Sequence, residues 1–151
     1  MNLGLIGNPV KKSISPQLQK ILFKELDLSN FRYKKYDITP DNLSSFFEKF
    51  DKKKFDGINI TIPYKETSLQ FIHEVDSDAK ILGNINCIKR TDNILKGYNT
   101  DSYGFEMLLK NNSISINSNH CIVLGAGGSA RTVIKTLIDQ GAESITIKNK
   151  S

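Results

Sequence analysis

Gly57-Ile58-Asn59-Ile60-Thr61-Ile62-Pro63-Tyr64-Lys65 is the stretch on which the fold turns. It reads as an apolar β-strand that carries an amide and a hydroxyl, Asn59 and Thr61, and is stopped by Pro63 and followed by Lys65. Gly97-Tyr98-Asn99-Thr100-Asp101 repeats the scheme and ends in an aspartate. A lysine and an aspartate at two strand ends are the raw material of a proton-transfer pair. Each also has a plainer reading: a solvated lysine, and an acid in the first turn of a helix, where the N-terminal dipole favours it. Open α/β sheets bind ligands beyond the carboxyl ends of their strands, and Ser13, Thr61, Lys65 and Asp101 all fall where such an edge would lie.

Working outward, residues 3–7 read as a buried strand ending in glycine. Ser15-Pro16 looks like an N-cap and first helical position, and Leu18, Ile21, Leu22 and Leu26 give the spacing of an apolar helix face. Residues 31–38 form a second strand. Pro40 and Asp41 open a helix with Leu43, Phe46, Phe47 and Phe50 on one side, and the charge run at 51–54 reads as its solvated end. Residues 64–82 are expected to be helical, with a break near Val75. Residues 86–90 and 94–99 flank Thr91-Asp92-Asn93, a hairpin signal. A helix over 100–110 follows, and then a polar Asn/Ser stretch at 111–119, the best linker in the chain. The remainder reads as strand 120–124, a glycine turn, helix 129–140 capped by Gly141, and strand 144–147. Strands alternating with helices predict an α/β protein with an open, mainly parallel sheet and helices on both faces.

The chain of 151 residues is long enough for one well-packed domain or for one plus part of another. The formal charge of +5 suits a basic solvated surface or attraction of a small anion, and no aromatic-interleaved basic patch points to nucleic acid. Cys87 and Cys121 fall within strands, are not paired as Cys-x-x-Cys, and read as small buried hydrophobes in a reducing compartment. His120 and Cys121 are adjacent on a strand, so they point to opposite faces and make no metal site. His73, in a polar segment expected to be helical, reads as a surface residue. No stretch resembles a signal peptide or approaches a membrane span, so a cytoplasmic protein is expected.

Gly125-Ala126-Gly127-Gly128-Ser129-Ala130-Arg131 follows a strand and opens a helix. In that context Gly125-x-Gly127-x-x-Ala130 is a dinucleotide fingerprint. The first glycine permits the turn, the second lets the backbone approach a pyrophosphate, and the third residue allows close packing of helix on strand. The next strand ends in Ile147-Lys148-Asn149-Lys150, with lysines where a carboxylate would mark NAD, which favours the extra phosphate of NADP. Ser13-Ile14-Ser15-Pro16 places two hydroxyls before a helix, as a cap or as a seat for a carboxylate.

Taken in order, these segments resemble the shikimate dehydrogenases, the NADP-dependent enzymes of aromatic amino-acid biosynthesis. The pieces that carry the resemblance are Gly7-x-Pro9, Ser13-x-Ser15-Pro16, Asn59-Ile60-Thr61-x-Pro63-x-Lys65, Gly83-x-x-Asn86, Asn99-Thr100-Asp101-x-x-Gly104 and Gly125-Ala126-Gly127-Gly128. The resemblance implies that Ser13 and Ser15 bind the carboxylate of shikimate, and that Asn59, Thr61, Asn86 and Asp101 line the hydroxyl side of its ring. It implies that Lys65 and Asp101 form the catalytic pair for reduction of 3-dehydroshikimate by NADPH. The cofactor would be held by Gly125, Ala126, Gly127, Gly128, Ser129, Asn149 and Lys150. The chain departs from the family at Gln19 and Lys20, usually histidine and asparagine. It departs again at Asn84-Ile85-Asn86-Cys87, usually Ala-Val-Asn-Thr, and at Asn149-Lys150-Ser151, usually Asn-Arg-Thr, where a planar guanidinium is replaced by a point charge.

The resemblance further implies a substrate-binding domain over residues 1–110, a linker at 111–119, and over 120–151 the first β-α-β of a Rossmann-like domain, truncated. Two other readings stand beside that of the enzyme: a shikimate-binding remnant without catalysis, and a relative that accepts quinate. The expected partner is a small molecule rather than nucleic acid or membrane, and the assembly is left open, a homodimer among the states allowed.

Overall fold

The computed structural model describes residues 1–50 and 55–150. The charge run at 51–54 and Ser151 lie outside them. The chain divides into two compact units, Met1–Asn99 and Thr100–Ser151. The division falls ahead of the helix that follows Asn99, whereas the sequence reading set it behind that helix.

In the first unit, β1 (Asn2–Gly7), α1 (Ser15–Glu25), β2 (Arg32–Asp37), a 3-10 turn (Pro40–Asn42), α2 (Leu43–Lys49) and β3 (Gly57–Ile60) come first. A 3-10 turn (Thr67–Phe71), β4 (Glu74–Val75), α3 (Ser77–Leu82), β5 (Cys87–Thr91) and β6 (Ile94–Tyr98) complete it. The six strands form one sheet in the order β2-β1-β3-β5-β6-β4. Its pairings are parallel except at β3–β5 and β5–β6, so β5 alone runs against the rest. β1, paired on both sides and buried along most of its length, reads as a continuous apolar run, whereas the edge strand β2 carries lysines that discourage further pairing. The β5–β6 hairpin turns at Asp92, whose φ of 53° is one that aspartate tolerates.

Register decides which side chains share a face. Tyr36, Ile6, Ile58, Ile60, Ile88 and Leu95 lie on one side, by their cross-strand pairs and the period of two. That side packs on Leu43, Phe46 and Phe47 of α2, on Phe50 just after it and on Ala79 of α3. The aromatic rings interlock: Phe47 stacks on Phe71 with centroids 4.4 Å apart, and Phe50 on Phe55 at 5.3 Å.

Three local expectations are corrected. Residues 64–82 are not helical throughout: the break expected near Val75 is the strand β4, the helix α3 follows it, and only a 3-10 turn precedes it. His73 N–H donates to the Leu95 carbonyl and Asp76 N–H to that of Gly97, both at 2.9 Å, so sheet pairing with β6 displaces helical bonding there. The Nδ1 of His73 accepts from Leu95 N–H, and this exposed residue lies just ahead of β4 rather than in a helix. α3 is capped at its start by Asp76, whose carboxylate accepts from Ala79 N–H, and at its end by Gly83 with φ 65°. α1 buries none of its residues, and Leu18, Ile21, Leu22 and Leu26 are exposed, so its apolar spacing does not face the core in this unit. Finally, Cys87 and Cys121 are half-buried rather than buried.

The second unit contains α4 (Asp101–Asn111), β7 (His120–Leu124), α5 (Ala130–Asp139) and β8 (Ser144–Lys148). β7 and β8 pair in parallel as a separate sheet. α4 packs on α5, where the Thr136 hydroxyl lies 3.0 Å from the Thr132 carbonyl and 3.5 Å from that of Ser102. α5 closes in a Schellman motif: Gly141, at φ 78°, donates to Ile138 and Ala142 donates to Leu137.

Candidate active site

The face of the first sheet opposite the aromatic core carries polar groups. The register places Tyr33 beside Leu3, Asn59 beside Leu5, Cys87 beside Asn59 and Tyr98 beside Cys87, all on this side. Tyr33 reaches across β1, and its phenol donates to Asn59 Oδ1 at 2.9 Å. The Ser15 hydroxyl lies close enough to the same phenol to oppose part of the rise in its pKa. Ser13 and Ser15 bond to each other through their Oγ atoms at 2.9 Å. A continuous polar row, Ser13–Ser15–Tyr33–Asn59, therefore spans the loop after β1, the start of α1, β2 and β3.

Ser15 is not the cap of α1. It is the first helical residue, and its N–H donates to Ser13 Oγ at 3.2 Å. Lys35 secures this loop by donating to the carbonyls of Lys11 at 2.6 Å and Ser13 at 3.4 Å. Asn8 ties it to β2 and to the end of β3, through Asp37 Oδ1 at 2.8 Å and the Ile62 carbonyl at 3.0 Å. A groove of about 660 Å³ opens beside Tyr33 and Pro16, between α1 and β2. Its wall also includes Phe23 and Phe31, and the polar row meets it only at Tyr33.

Lys65, Thr61 and Asn86 gather at the neighbouring strand ends. Thr61 N–H donates to the Ile6 carbonyl at 2.9 Å, and its methyl lies where a side chain on Gly7 would have to stand. Ile85 N–H holds the Lys65 carbonyl at 2.9 Å. Asn86 bonds both ways through its backbone, to Ile60 N–H at 2.8 Å and to the Tyr98 carbonyl at 2.9 Å. Beneath this loop Asn99 Nδ2 donates to Asn84 Oδ1 at 2.6 Å, and both amides are buried. Thus Asn84, which stands where alanine is expected, takes part in a buried amide pair.

Burial pushes the Tyr33 phenol up to about 12, against a smaller lowering by the Ser15 hydrogen bond, and the nearby Cys87 adds a slight upward push. Burial also raises the Cys87 thiol. Both groups are neutral at ordinary pH.

Asp101, half-buried, opens α4 in the second unit, while Lys65 belongs to the first. The glycine turn lies between β7 and α5. Gly125 takes φ 105°, and at Gly125, Gly127 and Gly128 no atom lies within 4 Å of where a Cβ would stand. That open backbone, at a helix start, fits a pyrophosphate. Gly125 N–H donates to the Lys148 carbonyl at 2.7 Å and Ala126 N–H to Asn149 Oδ1 at 3.3 Å, so Asn149 also braces the turn. Ser129 precedes the first residue of α5, and Lys150 is exposed beyond β8. Among the described residues no cluster of three or more His, Cys, Asp or Glu could hold a metal, and no helix is long and apolar enough to cross a membrane.

Sequence reasoning missed Tyr33 and Lys35. Both lie in the Arg-Tyr-Lys-Lys-Tyr-Asp strand, and nothing local distinguishes them from solvated edge residues.

The family model of the shikimate dehydrogenase substrate binding domain matches residues 5–88. This chain belongs to that family. It is 40% identical over 147 residues to shikimate dehydrogenase (NADP(+)) of Clostridium beijerinckii, a match covering 97% of this chain and 54% of the relative. The chain thus spans about half the length of the curated relatives it matches. Among solved structures, shikimate dehydrogenase of Aquifex aeolicus superposes with a TM-score of 0.91 at 33% identity, covering 99% of this chain and 63% of that one. The Thermus thermophilus shikimate 5-dehydrogenase in complex with NADP(H) and shikimate gives 0.88 at 29% identity, covering 98% and 56%. An α/β fold of this family is therefore established for the chain, with a sheet that is mainly parallel but mixed.

Proposed function

We propose that this chain supplies the substrate-binding and proton-transfer groups for NADPH-dependent reduction of 3-dehydroshikimate to shikimate. What supports the reading is the polar row from Ser13 to Asn59, in a chain of this family and similar to a structure solved with NADP(H) and shikimate. A substrate carboxylate takes the hydroxyl protons of Ser13 and Ser15, which in its absence are spent within the row. Asn59, Thr61, Asn86 and Asp101 bond the ring hydroxyls. Gly125, Ala126, Gly127, Gly128, Ser129, Asn149 and Lys150 would hold NADPH, which when bound would supply the hydride for the keto carbon. Lys65 gives its proton to the keto oxygen, assisted by Asp101, and is reprotonated from solvent; the carbonyl thereby becomes a secondary alcohol. In this reading residues 1–110 are the substrate domain and residues 120–151 a β-α-β unit of the cofactor domain. The partner is a small molecule rather than nucleic acid, and the compartment is the cytosol.

Calorimetric titration of shikimate and quinate into the chain, and into Ser15→Ala, reads the binding half. Shikimate should bind, and more weakly to the variant; tighter binding of quinate would reassign the substrate. NADPH oxidation with 3-dehydroshikimate reads the chemistry. Lys65→Ala should lower turnover by roughly 100- to 10,000-fold. Turnover within a few-fold of the parent would remove Lys65 from its role.

A further inference from the structure

We propose that Tyr33 is a positioning residue of the ring-hydroxyl pocket: by donating to Asn59 Oδ1, its phenol holds the Asn59 amide with NH2 turned toward the ligand. The proposal rests on the substrate reading above and adds to it a residue that reading does not use.

A primary amide presents an acceptor on one side and donors on the other, and a half-turn about its last torsion exchanges them. A pocket that recognises a hydroxyl oxygen needs one of these orientations and not the other. Asn59 is half-buried, and its neighbours select the orientation. The phenol of Tyr33 has one proton to give and gives it to Oδ1 at 2.9 Å. The Ser15 hydroxyl lies near the phenol, and Ser13 bonds to Ser15. Burial keeps the phenol protonated well beyond neutral pH, so the donor is permanent. Cys87, directly across from Asn59 on β5, is neutral and a weak hydrogen-bonding group, and offers the amide little competition. A phenylalanine would occupy the same space and lose only the donor.

The test uses Tyr33→Phe in the full chain, with two ligands. One is shikimate; the other is cyclohex-1-ene-1-carboxylate, which keeps the carboxylate and the ring double bond but has no hydroxyls. Loss of one oriented hydrogen bond should raise the Kd for shikimate by about 3- to 10-fold and change that for the analogue by less than about two-fold. In an Asn59→Ala background the Tyr33→Phe change should cost shikimate binding nothing further, because the phenol acts through Asn59. In the ligand-free chain the Asn59 side-chain amide pair, observed by 15N-resolved NMR, should shift and broaden in Tyr33→Phe as the amide turns over. Equal losses for the two ligands, additive losses in the double variant, or an unchanged Asn59 amide pair would each overturn the proposal. If the wild-type chain binds no shikimate, the substrate reading falls, and the ligand-free amide signals still decide the role of Tyr33.

Discussion

Replacing Gly7 by alanine should damage both the fold and the site, because β1 ends there in contact with Thr61. A Cβ on Gly7 would stand 2.5 Å from Thr61 Cγ2, 2.7 Å from Val10 Cγ1 and 2.9 Å from the Ile62 carbonyl oxygen. Carbon atoms pack at about 3.5–4.0 Å, so each side-chain contact is short by roughly an ångström. Val10 is 2% exposed and has little room to withdraw, and the Ile62 carbonyl is fixed by its bond from Asn8 N–H. Thr61 is the neighbour with freedom, and moving it disturbs a residue assigned to the substrate. Overpacking of this kind costs about 1–3 kcal/mol. Urea unfolding of Gly7→Ala should show that loss, and calorimetry should show weaker shikimate binding. Gly104→Ala is the control: it lies in α4 with no atom within 4 Å of its would-be Cβ, and the gain in helix propensity should stabilise by up to about 1 kcal/mol. If Gly7→Ala were as stable as the parent and bound shikimate equally well, the close approach of β1 to Thr61 would not be what the site depends on.

Phe47→Ala should cost about 3–5 kcal/mol by urea unfolding, because it empties the buried position that stacks on Phe71. Gly141→Ala should destabilise the second unit by about 1–2 kcal/mol, with faster amide exchange in the last turn of α5, since the new residue must keep a left-handed φ. Tyr33 has a folded-state pKa near 12 against 10.0 for an ordinary tyrosine, so its protonated form is favoured in the folded chain. Its contribution is complete below pH 10 and is lost as the pH rises toward 12. The urea midpoint of the parent should therefore fall more steeply above pH 10 than that of Tyr33→Phe. Tyr36 and Tyr64, shifted upward by burial, titrate in both proteins and cancel in the comparison; parallel profiles would contradict the assigned shift.

Much of this protein was legible in order along the chain. The α/β class followed from strands alternating with helices, and the glycine turn and hairpin followed from residues whose backbone preferences are local. Where the reading failed, a distant partner had decided. Residues 72–76 look helical until β6 offers their backbone a sheet to join. The apolar spacing of α1 is real, yet spacing alone does not say whether a face will be covered. Ser13, Ser15, Thr61, Lys65 and Asp101 could be named from the sequence because they fall near the ends of elements, whereas Asn59 and Asn86 are named by the family resemblance. Tyr33 could not, because its importance comes from the register of β2 on β1 and of β1 on β3, which sets its phenol over Asn59. Local propensity and periodicity are properties of neighbouring residues and are written in the chain. Register and face are set by pairing between strands far apart in sequence, and only the folded sheet decides which polar side chains meet.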